Sequence, residues 1–94
     1  MIDRKDYIEK LSQKLKSWDE EITKLELKAK ESSAKAKVNI NERLEELRLM
    51  RSNIENRING LKNSSDNAWS EIRKGVEKIE NEIIETINNV KNNF

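Results

Sequence analysis

From Leu44 to the end of the chain, apolar side chains advance by three and four residues. They fall at Leu44, Leu47, Met50, Ile54, Ile58 and Leu61, then at Trp69, Ile72, Val76, Ile79, Ile83, Ile87, Val90 and Phe94. That spacing gathers side chains on one face of an α-helix. The two sets are separated by the polar break Gly60-Leu61-Lys62-Asn63-Ser64-Ser65-Asp66. Two amphipathic helices joined this way fold back on each other, because neither buries its stripe alone. Gly60 is expected to take the left-handed conformation that ends a helix, with Leu61 making the apolar contact after it. Ser64, Ser65 and Asp66 are all good N-caps for the next helix. The hairpin core predicted here comprises Leu44, Leu47, Ile54, Ile58, Leu61, Trp69, Ile72, Val76, Ile79, Ile83 and Ile87. Gly75, inside the last helix, is expected to let a neighbouring helix approach beside Val76. The Asn88, Asn89, Asn92 and Asn93 end should fray.

Upstream, Asp3 is an N-cap candidate with Asp6 in the first turn. The residues Ile8, Leu11, Leu15, Trp18, Ile22, Leu25 and Ala29 then step 3,4,3,4,3,4, a heptad seam over three repeats. Between the two patterns lies Lys30-Glu31-Ser32-Ser33-Ala34-Lys35-Ala36-Lys37-Val38-Asn39. The paired serines weaken a helix there, and Asn39 with Glu42 could form a capping box for a fresh start. Against a break, the stretch has no glycine or proline, and the apolar phase continues through Ala29, Ser33, Ala36, Ile40, Leu44 and Leu47 with one stutter. The favoured fold class is therefore all-α, a single domain over residues 1–94. It has a long helix over about 3–62, a turn at 63–66 and a shorter antiparallel helix over 67–92. A helix of that length is about 90 Å long and the last one about 40 Å. The Ile8–Ala29 seam is then left uncovered, and an uncovered stripe marks a partner surface. Self-association into a coiled-coil oligomer through Ile8, Leu11, Leu15, Trp18, Ile22 and Leu25 follows. Off-seam Leu27, Ala34, Val38 and Leu49 make a weak second stripe that favours assemblies of three or more helices. The alternative architecture is a monomeric three-helix bundle about 40 Å long, with a turn near 30–38.

Composition narrows the chemistry. Charged residues make up 39% and apolar ones 34%, with no proline and two glycines, so the object is helical and thin rather than thick-cored. Nineteen basic and eighteen acidic residues nearly cancel, and no segment has the basic excess that phosphate backbones demand. Arg43, Arg48, Arg51 and Arg57 alternate with Glu42, Glu45, Glu46 and Glu55, which reads as a solvated helix face and not a nucleic-acid contact. Acid-first pairs such as Asp6–Lys10, Glu20–Lys24, Glu26–Lys30 and Glu31–Lys35 suit such a face, at about 0.2–0.5 kcal/mol each. With no histidine and no cysteine, the usual general bases, zinc ligands and thiol nucleophiles are missing. Adjacent acids such as Glu20-Glu21 diverge around a helix instead of converging on a metal. No catalytic residue, cofactor or metal is expected, and Tyr7 reads as a flank of the seam. There is no apolar run of membrane-spanning length and no signal core after Met1-Ile2-Asp3-Arg4-Lys5-Asp6, so a cytoplasmic protein is the expectation.

The run Ala68-Trp69-Ser70-Glu71-Ile72-Arg73-Lys74-Gly75-Val76-Glu77 resembles a segment of small bacterial coiled-coil proteins, with the pattern AW-x-x-(L/I)-(K/R)-x-G-(V/F)-E. Tyr7-Ile8-Glu9-Lys10-Leu11, Trp18, Leu44-Glu45-Glu46-Leu47-Arg48 and Phe94 are similar to that group too. It departs at Ile79-Glu80, where the group carries Ala-Trp. The resemblance implies a stress-related coiled-coil protein with a long helix and a helical return, and no reaction. The residues themselves point to a non-enzymatic interaction or scaffold protein. The competing expectation is a peripheral protein whose amphipathic segment 68–94 lies on a lipid surface. Its net negative polar face disfavours anionic lipid, which places that reading second.

Overall fold

The computed structural model describes residues 3–92, which form three α-helices: α1 (Arg4–Lys30), α2 (Ala34–Asn63) and α3 (Asp66–Asn92). Asn93 of the end expected to fray, Phe94 at the final position of the apolar series, and Met1 and Ile2 lie outside the described residues. The bundle measures 49 × 19 × 18 Å. The architecture is the all-α three-helix alternative, and the continuous helix over 3–62 is not formed. The chain turns back at Glu31-Ser32-Ser33.

The reason is visible in the turn. The Glu31 and Ser32 amides donate to the Lys28 and Ala29 carbonyls at 3.1 Å, so α1 closes with tightened i→i−3 bonds. Ser33 then becomes extended (φ −62°, ψ 157°) and its hydroxyl accepts from the Ala36 amide at 3.3 Å. Ser33, not Asn39, is thus the N-cap of α2. No left-handed residue is needed, since no described residue has a positive φ. An αα-turn of this kind carries no glycine signal. Interrupting a long helix here costs a few backbone hydrogen bonds, partly offset by the Ser33 cap, a few kcal/mol at most. Folding back buries Leu11, Leu15, Trp18, Ile22, Leu25 and Ala29 within the same chain. At about 1.5–3 kcal/mol for each large apolar side chain, that burial wins.

The second connection also differs in detail from the sequence expectation. α2 runs on through Gly60 to Asn63, and Gly60 remains helical. The helix ends because Ser64 is extended (φ −82°, ψ 158°), with its amide returning to the Gly60 carbonyl at 3.0 Å. Ser65 is the acceptor at the start of α3, its Oγ 3.4 Å from the Ala68 amide. Gly60 matters for packing instead. A methyl group there would sit 3.2 Å from Cδ1 of Ile72 on α3. At Gly75 the neighbouring group is the Arg57 side chain, with Nη1 3.1 Å from a built Cβ.

One core runs the length of the bundle. Its α1 face is Leu11 to Ala29, its α2 face Ile40, Leu44, Leu47, Ile54 and Leu61, and its α3 face Val76, Ile83, Ile87 and Val90. Ile8, Met50, Ile58, Trp69, Ile72 and Ile79 pack against it half-buried.

Candidate functional site

The structure merges the two residue sets that the sequence separates. The seam intended for a partner and the hairpin core face each other inside one chain, and Trp18 is only 7% exposed. The correction is to the seam's accessibility: it is not an open stripe, because α2 and α3 cover it. The apolar stripe of α3, Trp69 to Val90, is likewise turned inward.

Polar side chains cluster where α1 meets α3. Near the 64–65 connection, the Arg4 guanidinium lies 5.1 Å over the Trp69 ring and donates to the Ser64 carbonyl at 2.7 Å. It also reaches Asp66 Oδ1 at 3.3 Å. The Tyr7 ring meets Trp69 edge-on, with centroids 5.3 Å apart and planes at 85°. Arg4, Tyr7 and Trp69 thus clamp the start of α1 onto the start of α3. The Tyr7 phenol is pushed up to about 12, first by burial and then by the negative charges of Glu80 and Glu77, with Arg73 opposing. A phenol held protonated this firmly is no general base near neutral pH.

Glu80 lies outside the apolar series of α3 read from the sequence. It is only 8% exposed, because its position on α3 turns toward α1. Lys14 Nζ holds its Oε2 at 3.0 Å, while its buried Oε1 finds no hydrogen-bond partner. Lys91 Nζ and Glu21 Oε2, 3.0 Å apart, repeat the α1–α3 link farther along. Between α1 and α2, Arg48 pairs with Glu26 and Arg51 with Asp19, while Arg51 also pairs with Glu55 one turn along α2. Arg51 Nη2 donates to Asp19 Oδ2 at 2.9 Å; its Nε lies 2.8 Å from Oδ1 but is poorly aimed, so that contact is charge-to-charge. Two of the arginines read as a solvated face are therefore inter-helix ties.

Two surface grooves stand out. The larger, about 740 Å³, is lined by Asp3, Arg4, Lys5, Ile8, Glu9, Ser12, Gln13 and Lys62. Its charges are mixed, and Arg4 is already engaged by Ser64, Asp66 and Trp69. The other, about 410 Å³, runs between α2 and α3, with Leu49 and Met50 among Glu46, Glu82, Glu85, Thr86 and Asn89. Leu49 is 67% exposed, and no lysine or arginine lines this groove. Glu46 pairs with Arg43 at 3.2 Å, whereas Glu82 and Glu85 form no ion pair with any described residue. Sequence reading placed Leu49 off the seam but had no means of setting it beside acids of α3.

No family model matches this chain, and comparison with curated proteins and with solved structures finds no match either. No described helix is long and apolar enough to cross a membrane. Among the described residues, no group of three or more acidic side chains is placed to hold a metal ion.

Proposed function

We propose that this protein is a non-enzymatic helical interaction module. Its docking surface is the α2–α3 groove, and its partner presents a basic amphipathic helical segment. The observation that supports this reading is Leu49, an aliphatic side chain 67% exposed beside a groove whose charged rim is entirely acidic. A helix carrying leucines on one edge and lysines or arginines on the flanks matches that surface in both apolarity and charge. The stress-related role implied by the bacterial coiled-coil resemblance, and the cytoplasmic setting expected from the sequence, belong to this proposal and supply no chemistry of their own.

The test uses a synthetic leucine–lysine helical peptide, with binding followed by anisotropy at low and moderate salt. Binding should weaken about tenfold for L49D, since one well-placed apolar anchor contributes about 1–2 kcal/mol. It should weaken further for E82K/E85K and fall with salt in the parent. A peptide that binds E82K/E85K as tightly as the parent would sink the proposal. The lipid-surface alternative needs α3 to leave the bundle, because its apolar stripe is covered; co-flotation with neutral and anionic vesicles tests it directly.

A further inference from the structure

The turn between α1 and α2 has a property that its cap geometry alone does not require. Lys30, Glu31, Ser32, Ser33 and Ala34 include no glycine or proline, and none of them adopts a left-handed conformation. Glu31 is already in the right-handed helical region (φ −87°, ψ −8°), whereas Ser33 departs strongly from helix. The apolar phase, meanwhile, passes across the turn through Ala29, Ala36 and Ile40. A return of Ser32 and Ser33 to helical backbone would join α1 and α2 into one helix over residues 4–63.

We infer that a second copy of this chain is a partner, through exchange of α1. In the exchanged dimer the turn straightens, and each α1 lies on the α2 and α3 of the other copy in the place its own α1 vacates. Every core contact of Leu11, Leu15, Trp18, Ile22, Leu25 and Ala29 is remade between chains, as are the Lys14–Glu80 and Glu21–Lys91 pairs. Only the turn differs between the two forms: the Ser33 cap is lost and continuous helix is gained. The two forms are therefore close in free energy, and protein concentration sets their ratio. This inference is independent of the groove proposal, which uses a different surface and a different partner.

Three tests read the exchange directly. In S33A the cap is removed and a better helix former takes its place, which favours the straight form about tenfold per chain. Because each dimer opens two turns, its dissociation constant should fall about 100-fold. A34P acts in the opposite sense. Proline is welcome at the first helical position, and the preceding Ser33 already has the extended backbone that proline imposes on its neighbour. In a continuous helix the same ring would clash with the Lys30 carbonyl. A34P should stay monomeric with the helix content of the parent.

The third test is complementation. K14E alone sets two carboxylates together across α1 and α3, and E80K alone sets two ammonium groups together. Refolded as a mixture, the two chains can satisfy both pairs only by exchanging α1. Light scattering on the size-exclusion peak gives the mass, and small-angle scattering the maximum dimension. The dimer should span about 90 Å or more, from a helix of residues 4–63 at about 1.5 Å per residue, against 49 Å for the bundle. An S33A chain that stays monomeric up to about 1 mM overturns the inference, since mass action should populate the dimer there. So does a dimer that survives A34P, or a K14E and E80K mixture that gains no heterodimer.

Discussion

Tyr7 is where a single side chain most clearly reports on the packing around it. Its ring is held edge-on to Trp69 and its hydroxyl is buried without a hydrogen-bond partner, facing the carboxylates of α3. Both conditions oppose the phenolate, so ionisation is displaced from 10.0 to about 12 in the fold. An unfolded chain ionises near the ordinary value and releases its proton first as pH rises. The contribution of Tyr7 to stability is therefore complete below about pH 10 and is lost as pH rises from about 10 to 12. Y7F should flatten the fall in denaturant midpoint over that interval relative to the parent. Equal slopes for the two would show that Tyr7 is not the responsive group. Glu80 is likewise buried, between α1 and α3. One carboxylate oxygen is paired with Lys14 and the other is buried unpaired, an arrangement that gives register between α1 and α3 more than net stability.

At the scale of the elements, the two glycines show how much helix was given up for fit. Neither has a positive φ, so neither is required by backbone conformation. In a helix interior each costs about 1 kcal/mol relative to alanine. At Gly75 the obstacle to a methyl group is the far end of the flexible Arg57 side chain, which can swing aside. G75A should therefore stabilise the bundle, by about 0.5–1 kcal/mol, read as a rise in thermal midpoint. At Gly60 the neighbour is a methyl of half-buried Ile72, so the gain from G60A should be smaller. These helices were largely legible in the sequence. The three-and-four spacing gave all three apolar faces, and Asp3 proved to be the N-cap of α1, accepting from the Lys5 amide at 3.0 Å. The α1–α2 turn was not legible as the favoured outcome, because its reversal is made by a serine cap and two tightened bonds that leave no glycine or proline behind. Nor was the Arg4–Tyr7–Trp69 clamp, which joins positions some sixty residues apart. The groove was unreadable for a related reason: Leu49 and Glu85 become neighbours only once α3 is docked.

For the whole molecule, the decisive quantity is how the core is divided among the helices. The hairpin expected of α2 and α3 left the α1 seam outside its core. In the bundle, however, Leu11, Leu15, Trp18, Ile22 and Leu25 form a full third of the core wall, running opposite Leu44, Leu47, Ile54 and Ile83. Removing that wall exposes apolar surface on both remaining helices, and two helices of this length hold only marginal stability without it. W18D tests the point. An aspartate in a site only 7% exposed either buries an unpaired charge or opens the core to water, a loss of about 3–5 kcal/mol. That is comparable to the whole stability expected of a domain this small. W18D should thus lose helicity from all three helices together, and its far-ultraviolet signal and Trp69 fluorescence should report one shared transition at a lower midpoint. A variant that keeps close to two thirds of the parent's helical signal, with Trp69 still shielded, would mean that α2 and α3 fold as an independent unit. In that case α1 would be a detachable arm, and its exchange between copies would cost less than a fully shared core implies.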